Sequence, residues 1–178
     1  MVYPMFRQDL RRIRRAPRRR SGGFSSLILA LGLVAGSLLL LEPRSRLLEG
    51  AVHVVDGDSL RLGDTDIRIK GIDAPELRQT CHRSGRPYPC GAASREALAR
   101  LVTDGPVRCR VTGRDRYGRS LARCEAGDVD VGAALVRQGD ALAYGEYARE
   151  EEAARSGSAG LWAGEFERPD EWRRRHRS

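Results

Sequence analysis

Three short stretches of this chain combine charged side chains with turn-forming residues. Asp56-Gly57-Asp58-Ser59 comes first, and Arg68-Ile69-Lys70-Gly71-Ile72-Asp73-Ala74-Pro75-Glu76 follows. Asp115-Arg116-Tyr117-Gly118-Arg119 closes the set. Asp58 and Asp73 offer hard oxygen ligands of the kind Ca²⁺ or Mg²⁺ takes, and Ala74 adds a backbone carbonyl. Glu76, just past a proline, is placed to take a proton from water. Arg68 and Arg119 suit a phosphate, which a guanidinium grips with two donors at once. Arg116 and Tyr117 would flank the substrate. Each piece alone has an ordinary explanation: Asp56-Gly57-Asp58 as a turn, Arg68 as half of an ion pair, Glu76 as a surface acid. Together they are the parts of a metal-assisted phosphodiesterase.

These residues need a frame. Val52–Val55 and Ser59–Leu62 read as strands around the Asp56–Asp58 turn. Gly63-Asp64 suits a hairpin turn, and Ile67–Ile72 alternates as a third strand. That alternation puts Ile67, Ile69 and Gly71 on one face and Arg68, Lys70 and Ile72 on the other. Pro75 holds Ala74 extended, so the chain leaves the sheet there. Leu77 to Gly91 has no periodicity and reads as a loop. Val107–Val111 and Ser120–Cys124 form two more strands, joined through the Asp115–Arg119 loop. Helical spacing covers Ala92–Val102, Val131–Gln138 and Tyr147–Ser156. The fold class is therefore α+β and mostly β: a five-stranded Greek-key barrel of the OB type with three helices.

Charge is unevenly spread. The net charge of +8 belongs almost wholly to residues 1–23, which carry eight arginines and one acid. Residues 47–178 hold 22 basic and 22 acidic side chains. The high pI is thus no evidence that the folded part binds nucleic acid, and attraction for an anionic substrate must come from a local patch. Phe24–Leu41 is an uncharged apolar run of 18 residues, which as a helix reaches roughly 27 Å, close to one hydrocarbon core. The arginines before it place the N-terminus in the cytoplasm and the rest of the chain outside. A cleaved signal peptide is the rival reading, but Glu42-Pro43-Arg44-Ser45-Arg46 lacks a small-x-small cleavage site. The expected organisation is a basic tail (1–23), a transmembrane helix in the lipid bilayer (24–41), a linker (42–47), a catalytic domain (48–165) and a basic C-terminal tail (166–178).

Cys81, Cys90, Cys109 and Cys124 all follow the apolar run. An even count in an exported domain suggests two disulfides. Proximity in sequence favours 81–90 and 109–124 among three possible connectivities. A zinc site is disfavoured, since no Cys-x-x-Cys occurs and the histidines are scattered.

Asp-Gly-Asp-Ser, Arg-x-x-x-Ile-Asp-Ala-Pro-Glu and Asp-x-Tyr-Gly-Arg, in that order, resemble the staphylococcal nuclease (thermonuclease) family. Ala134–Gly139 and Gly160-Leu161-Trp162 extend the likeness over about residues 50–163. The resemblance implies Ca²⁺-dependent hydrolysis of DNA and RNA on an OB-like barrel. It implies calcium ligation by Asp58, Asp73 and the Ala74 carbonyl, a general base at Glu76, phosphate binding by Arg68 and Arg119, and a phosphate contact from Tyr117. Tyr144 and Tyr147 fall where the family places aromatics against bases. Ala74 replaces a common threonine, Ser59 replaces another, and the loop after Glu76 is rebuilt around Cys81 and Cys90. A binding module without catalysis is the alternative, disfavoured because all five reactive side chains are present.

Overall fold

A computed structural model describes residues 45–176. The expected cytoplasmic tail and membrane span lie outside the described residues. Among the described residues no helix is long and apolar enough to cross a membrane.

The strands are β1 (Arg46–Gly50), β2 (Val52–Val54), β3 (Ser59–Leu62), β4 (Thr65–Ile69) and β5 (Ile72–Asp73). A small hairpin of β6 (Cys81–Arg83) and β7 (Arg86–Tyr88) leads into helix α1 (Cys90–Leu101). Then come β8 (Val107–Arg114), β9 (Ser120–Ala126), β10 (Val129–Asp130), α2 (Val131–Gln138) and β11 (Leu142–Ala143). Helix α3 (Ala148–Ser156), a 3₁₀ turn at Gly160–Ala163 and α4 (Pro169–Arg175) finish the described chain.

The main sheet runs β1-β8-β9-β4-β3-β2, with β10 pairing on β9. Its two outermost strands, β1 and β2, are separated in sequence by Ala51 alone. One residue can link the two edges only if the sheet curls back on itself, so the result is a curled half-barrel rather than a flat sheet. All pairs in it are antiparallel except β4 with β9, which sets Arg68 beside Leu121.

The inner face follows from period-two alternation. Leu60, Ile67, Ile69, Val107, Cys109, Ala122 and Cys124 point inward and are almost wholly buried, joined by Leu98 of α1 and by Leu135 and Val136 of α2. Cys109 and Cys124 are register partners across β8 and β9 and are disulfide-bonded. Cys81 and Cys90 bond β6 to the first residue of α1. The connectivity favoured by sequence proximity is the one present.

Four differences from the sequence reading have local causes. The strand carrying Arg68 stops at Ile69 because Gly71 takes a φ of 85°. The chain turns there, so Ile72 enters the core instead of joining the Arg68 face. A Cβ at Gly71 would also stand 2.7 Å from the Glu146 Cβ. The loop from Leu77 to Gly91 contains the β6–β7 hairpin, turned at Ser84-Gly85 with φ of 51° and 72°. The first strand begins at Arg46, inside the expected linker. Among the described residues four α-helices replace the expected three, because Pro169–Arg175, expected as tail, is helical. Proline at its start, acids in its first turn and arginines in its last complement the helix dipole.

Candidate active site

The site begins at the β2–β3 turn. Asp56 accepts a hydrogen bond from the Asp58 backbone N–H at 3.1 Å, which fixes the turn and aims the Asp58 side chain inward. Asp58 is 3 % exposed. Its Oδ1 accepts from Ser59 Oγ at 2.9 Å and from Arg68 Nη1 at 2.9 Å, while Oδ2 accepts from the Ala74 N–H at 3.2 Å. Burial drives the Asp58 carboxyl up to about 7; Arg68 pulls it down, and the nearby charge of Asp56 pushes it up further.

Asp73 sits at the end of β5, paired with Leu142 of β11. Arg68 donates from Nη2 to Asp73 Oδ1 at 2.8 Å, so one guanidinium bridges both aspartates. Glu76 follows the buried Pro75 at the cleft wall. Its backbone is pinned by the fully buried Gln79, whose Oε1 accepts from the Glu76 N–H at 3.1 Å. Gly91 of α1 packs so closely on the Glu76 carbonyl that any Cβ there would collide with it.

The third wall is the loop between β8 and β9. Asp115 organises it, accepting at Oδ1 from the Tyr117 and Arg119 N–H groups at 2.8 and 2.9 Å. Its Oδ2 takes Arg119 Nε at 2.7 Å, which leaves the far end of the guanidinium toward Ser59, 3.2 Å from Oγ. Partial burial works against the Asp115 charge, but the hydrogen bonds from Arg119 and the backbone outweigh it and lower its pKa. Gly118, with a φ of 86°, closes the turn. Tyr117 is 69 % exposed, with the Arg116 and Arg119 guanidinium carbons 4.8 and 5.8 Å from its ring centre.

These elements enclose one open cleft of about 1100 Å³. Asp58, Asp73, Ala74 and Glu76 line it together with Arg68, Arg116, Tyr117 and Arg119. Tyr144, 71 % exposed, stands at its rim. Tyr147 does not line it. Its hydroxyl donates to Asp130, the N-cap of α2, and its ring lies against Gly132, so it secures the helix rather than presenting a face to a base.

Two residues absent from the sequence reading complete the site. Gln79 is one. The other is Arg173 of α4, which donates to Asp73 and to Glu76. Burial opposes the Arg173 charge, but its hydrogen bonds to the two acids prevail and hold it more firmly protonated than usual. The helical pattern of Pro169–Arg175 was a readable signal for α4, but nothing local joins residue 173 to residue 73.

The donor set suits a hard cation. Asp58 and Asp73 present carboxylate oxygen, the donor such ions take. Among the described residues no three His, Cys, Asp or Glu side chains converge on one point. Arg68 and Arg173 stand between the carboxylates instead.

Residues 66–164 match the model of the staphylococcal nuclease homologue family. A succinoglycan biosynthesis protein, ExoI, of Rhizobium meliloti (strain 1021) is 35 % identical over 159 residues, which are 84 % of this chain and 83 % of that protein. An uncharacterized endonuclease of Haemophilus influenzae is 32 % identical over 138 residues, covering 71 % of this chain and 72 % of its own. The probable staphylococcal-like nuclease CAN1 of Oryza sativa is 36 % identical over 119 residues, 63 % of this chain and 33 % of its own. With more than half of the chain matched, including the Asp73–Glu76 and Asp115–Arg119 segments of the cleft, this chain belongs to the staphylococcal nuclease homologue family.

Proposed function

We propose that this protein is a Ca²⁺-dependent nuclease that hydrolyses phosphodiester bonds of DNA or RNA. The observation that carries the reading is the convergence of Asp58, Asp73, Glu76, Arg68 and Arg119, from segments sixty residues apart, on one cleft. Asp58, Asp73 and the Ala74 carbonyl would hold the ion. When bound, it supplies Lewis-acid polarisation of a phosphoryl oxygen.

The side chains divide the remaining work. Glu76 accepts a proton as a water oxygen attacks phosphorus. The P–O ester bond opposite then breaks, and the departing oxygen takes up a proton. Negative charge grows on the equatorial oxygens meanwhile, and Arg119 and Arg68 neutralise it. Arg119 is well prepared, because Asp115 holds only its Nε edge. Tyr117 and Tyr144 offer exposed rings where unstacked bases would lie. The +8 net charge of the chain plays no part in this, since the residues from 47 onward are neutral overall.

The domain is built for an oxidising compartment. All four cysteines are bridged, which fits export across a membrane. Together with the apolar run at residues 24–41, this supports a membrane-tethered enzyme acting outside the cytoplasm on external nucleic acid.

Incubation of the full-length protein with single-stranded DNA and with RNA, with Ca²⁺ or with EGTA, tests the reading. Calcium-dependent cleavage that Glu76→Gln abolishes is expected. Nucleic-acid binding without cleavage would support a non-catalytic module instead.

A further inference from the structure

The acids of the cleft share a second arginine, supplied from a hundred residues away. Arg173 Nη1 donates to Asp73 Oδ1 at 3.0 Å and to Glu76 Oε1 at 2.8 Å, while Nη2 donates to Asp73 Oδ2 at 2.9 Å. Both Asp73 oxygens are therefore covered, one of them also by Arg68.

Helix α4 does not reach this position loosely. Gln79, whose Oε1 pins the Glu76 backbone, donates from Nε2 to the Glu167 carbonyl at 2.7 Å. One buried side chain thus ties the Glu76 loop to the segment that leads into α4. His82 and Glu165 exchange backbone hydrogen bonds at 2.8 and 2.9 Å. Arg175 Nε donates to Glu167 at 2.6 Å, and Pro169 is buried. The seat is the β6–β7 hairpin, which the Cys81–Cys90 bond joins to α1.

Arg68 and Arg173 together place three hydrogen bonds on Asp73, which leaves about one of its four lone-pair sites for a metal ion. Two cations on one carboxylate edge also repel each other. Full ligation by Asp73 therefore requires Arg173 to withdraw from it. The side chain is 33 % exposed, so a rotamer change can free it into the cleft while the backbone of α4 stays docked.

We propose that Arg173 is a built-in counter-cation of the site. It holds Asp73 and Glu76 while no divalent ion is bound and surrenders Asp73 when one arrives, so α4 sets the metal affinity of the cleft. The proposal rests on the assignment of Asp58 and Asp73 to a divalent ion. A merely structural arginine predicts the opposite sign: its loss would loosen the acids and weaken metal binding.

Calorimetric titration of the full-length protein with Ca²⁺ decides between them. Arg173→Ala should bind Ca²⁺ at least about fivefold more tightly than wild type, the lower end of ordinary coupling between two ligands. Arg173→Lys keeps the charge but loses the two-pronged grip, and should fall between the two. Without Ca²⁺ the alanine variant should melt lower than wild type, and Ca²⁺ should raise its melting temperature by more. Ion binding by the variant alone would also support the proposal. Unchanged or weaker affinity in folded Arg173→Ala would overturn it while leaving the metal assignment intact. If the alanine variant does not fold, an Arg173→Lys affinity equal to or below wild type overturns it. Absence of binding in wild type and both variants would remove the metal assignment, and this proposal with it.

Discussion

Asp58 should make the metal-free protein less stable than it needs to be, and Asp58→Asn should reveal this. Burial lifts its carboxyl from 3.8 to about 7. At 1.36 kcal/mol per pKa unit, keeping the ionised form inside the fold at pH 8 costs roughly 4 kcal/mol. The sign follows from linkage: a folded-state pKa above the unfolded one contributes stability below about pH 4, and that stability is lost as pH rises through 7. Asparagine removes the charge but keeps Oδ1 as acceptor for Arg68 and Ser59. Its Nδ2 cannot accept from the Ala74 N–H, which returns about 1–3 kcal/mol of the gain. The net should be about 1–3 kcal/mol of stabilisation at pH 8, or several degrees in Tm for a domain of this size. Thermal melts in EGTA at pH 8 and pH 5 measure it, and the gain should shrink at pH 5, where the wild-type carboxyl takes up its own proton. Excess Ca²⁺ should then raise the Tm of wild type but not of the variant. A variant that melts below wild type at pH 8 in EGTA, or a gain independent of pH, would refute the reasoning.

Glu76→Gln and Arg119→Ala should each lower turnover at least about a hundredfold while circular dichroism stays native; near-wild-type rates in both would remove them from the chemistry. Gly91→Ala should cost about 1–3 kcal/mol and slow cleavage as well, because its Cβ must push the Glu76 carbonyl aside; urea titration and initial rates read the two effects. Burial raises Asp140 to about 6, so its contribution to stability is lost as pH rises through 6. Asp140→Asn should therefore flatten the fall in Tm between pH 5 and pH 7, and an unchanged slope would count against that assignment.

Much of this arrangement was legible because it is local. The isoleucines at 67 and 69 alternate with Arg68, and the same alternation in the structure buries them and turns Arg68 toward the acids. The Asp56–Ser59 and Asp115–Arg119 turns are written in Asp and Gly, whose preferences need no tertiary partner. The disulfides followed from spacing, since a hairpin brings positions 109 and 124 opposite each other. What escaped depends on distant contacts. The β6–β7 hairpin has no apolar alternation, with Arg83, Arg86 and Pro87 in its strands, and is fixed by its disulfide and by Glu165. Tyr147 comes three residues after Tyr144 of the cleft, but its αL backbone (φ 62°) sends the ring to Asp130. Arg173 looked like tail charge, because only the folded chain sets residue 173 against residues 73 and 76.

The central claim is that this cleft cleaves phosphodiester bonds with a divalent ion. Its most direct test is the initial rate of hydrolysis of a fluorogenic single-stranded oligonucleotide by the full-length protein, measured across free Ca²⁺ concentration. A rate that is zero in EGTA and climbs to saturation with Ca²⁺ is predicted. Cleavage at the same rate in EGTA, or no cleavage at any Ca²⁺ concentration, would contradict the account.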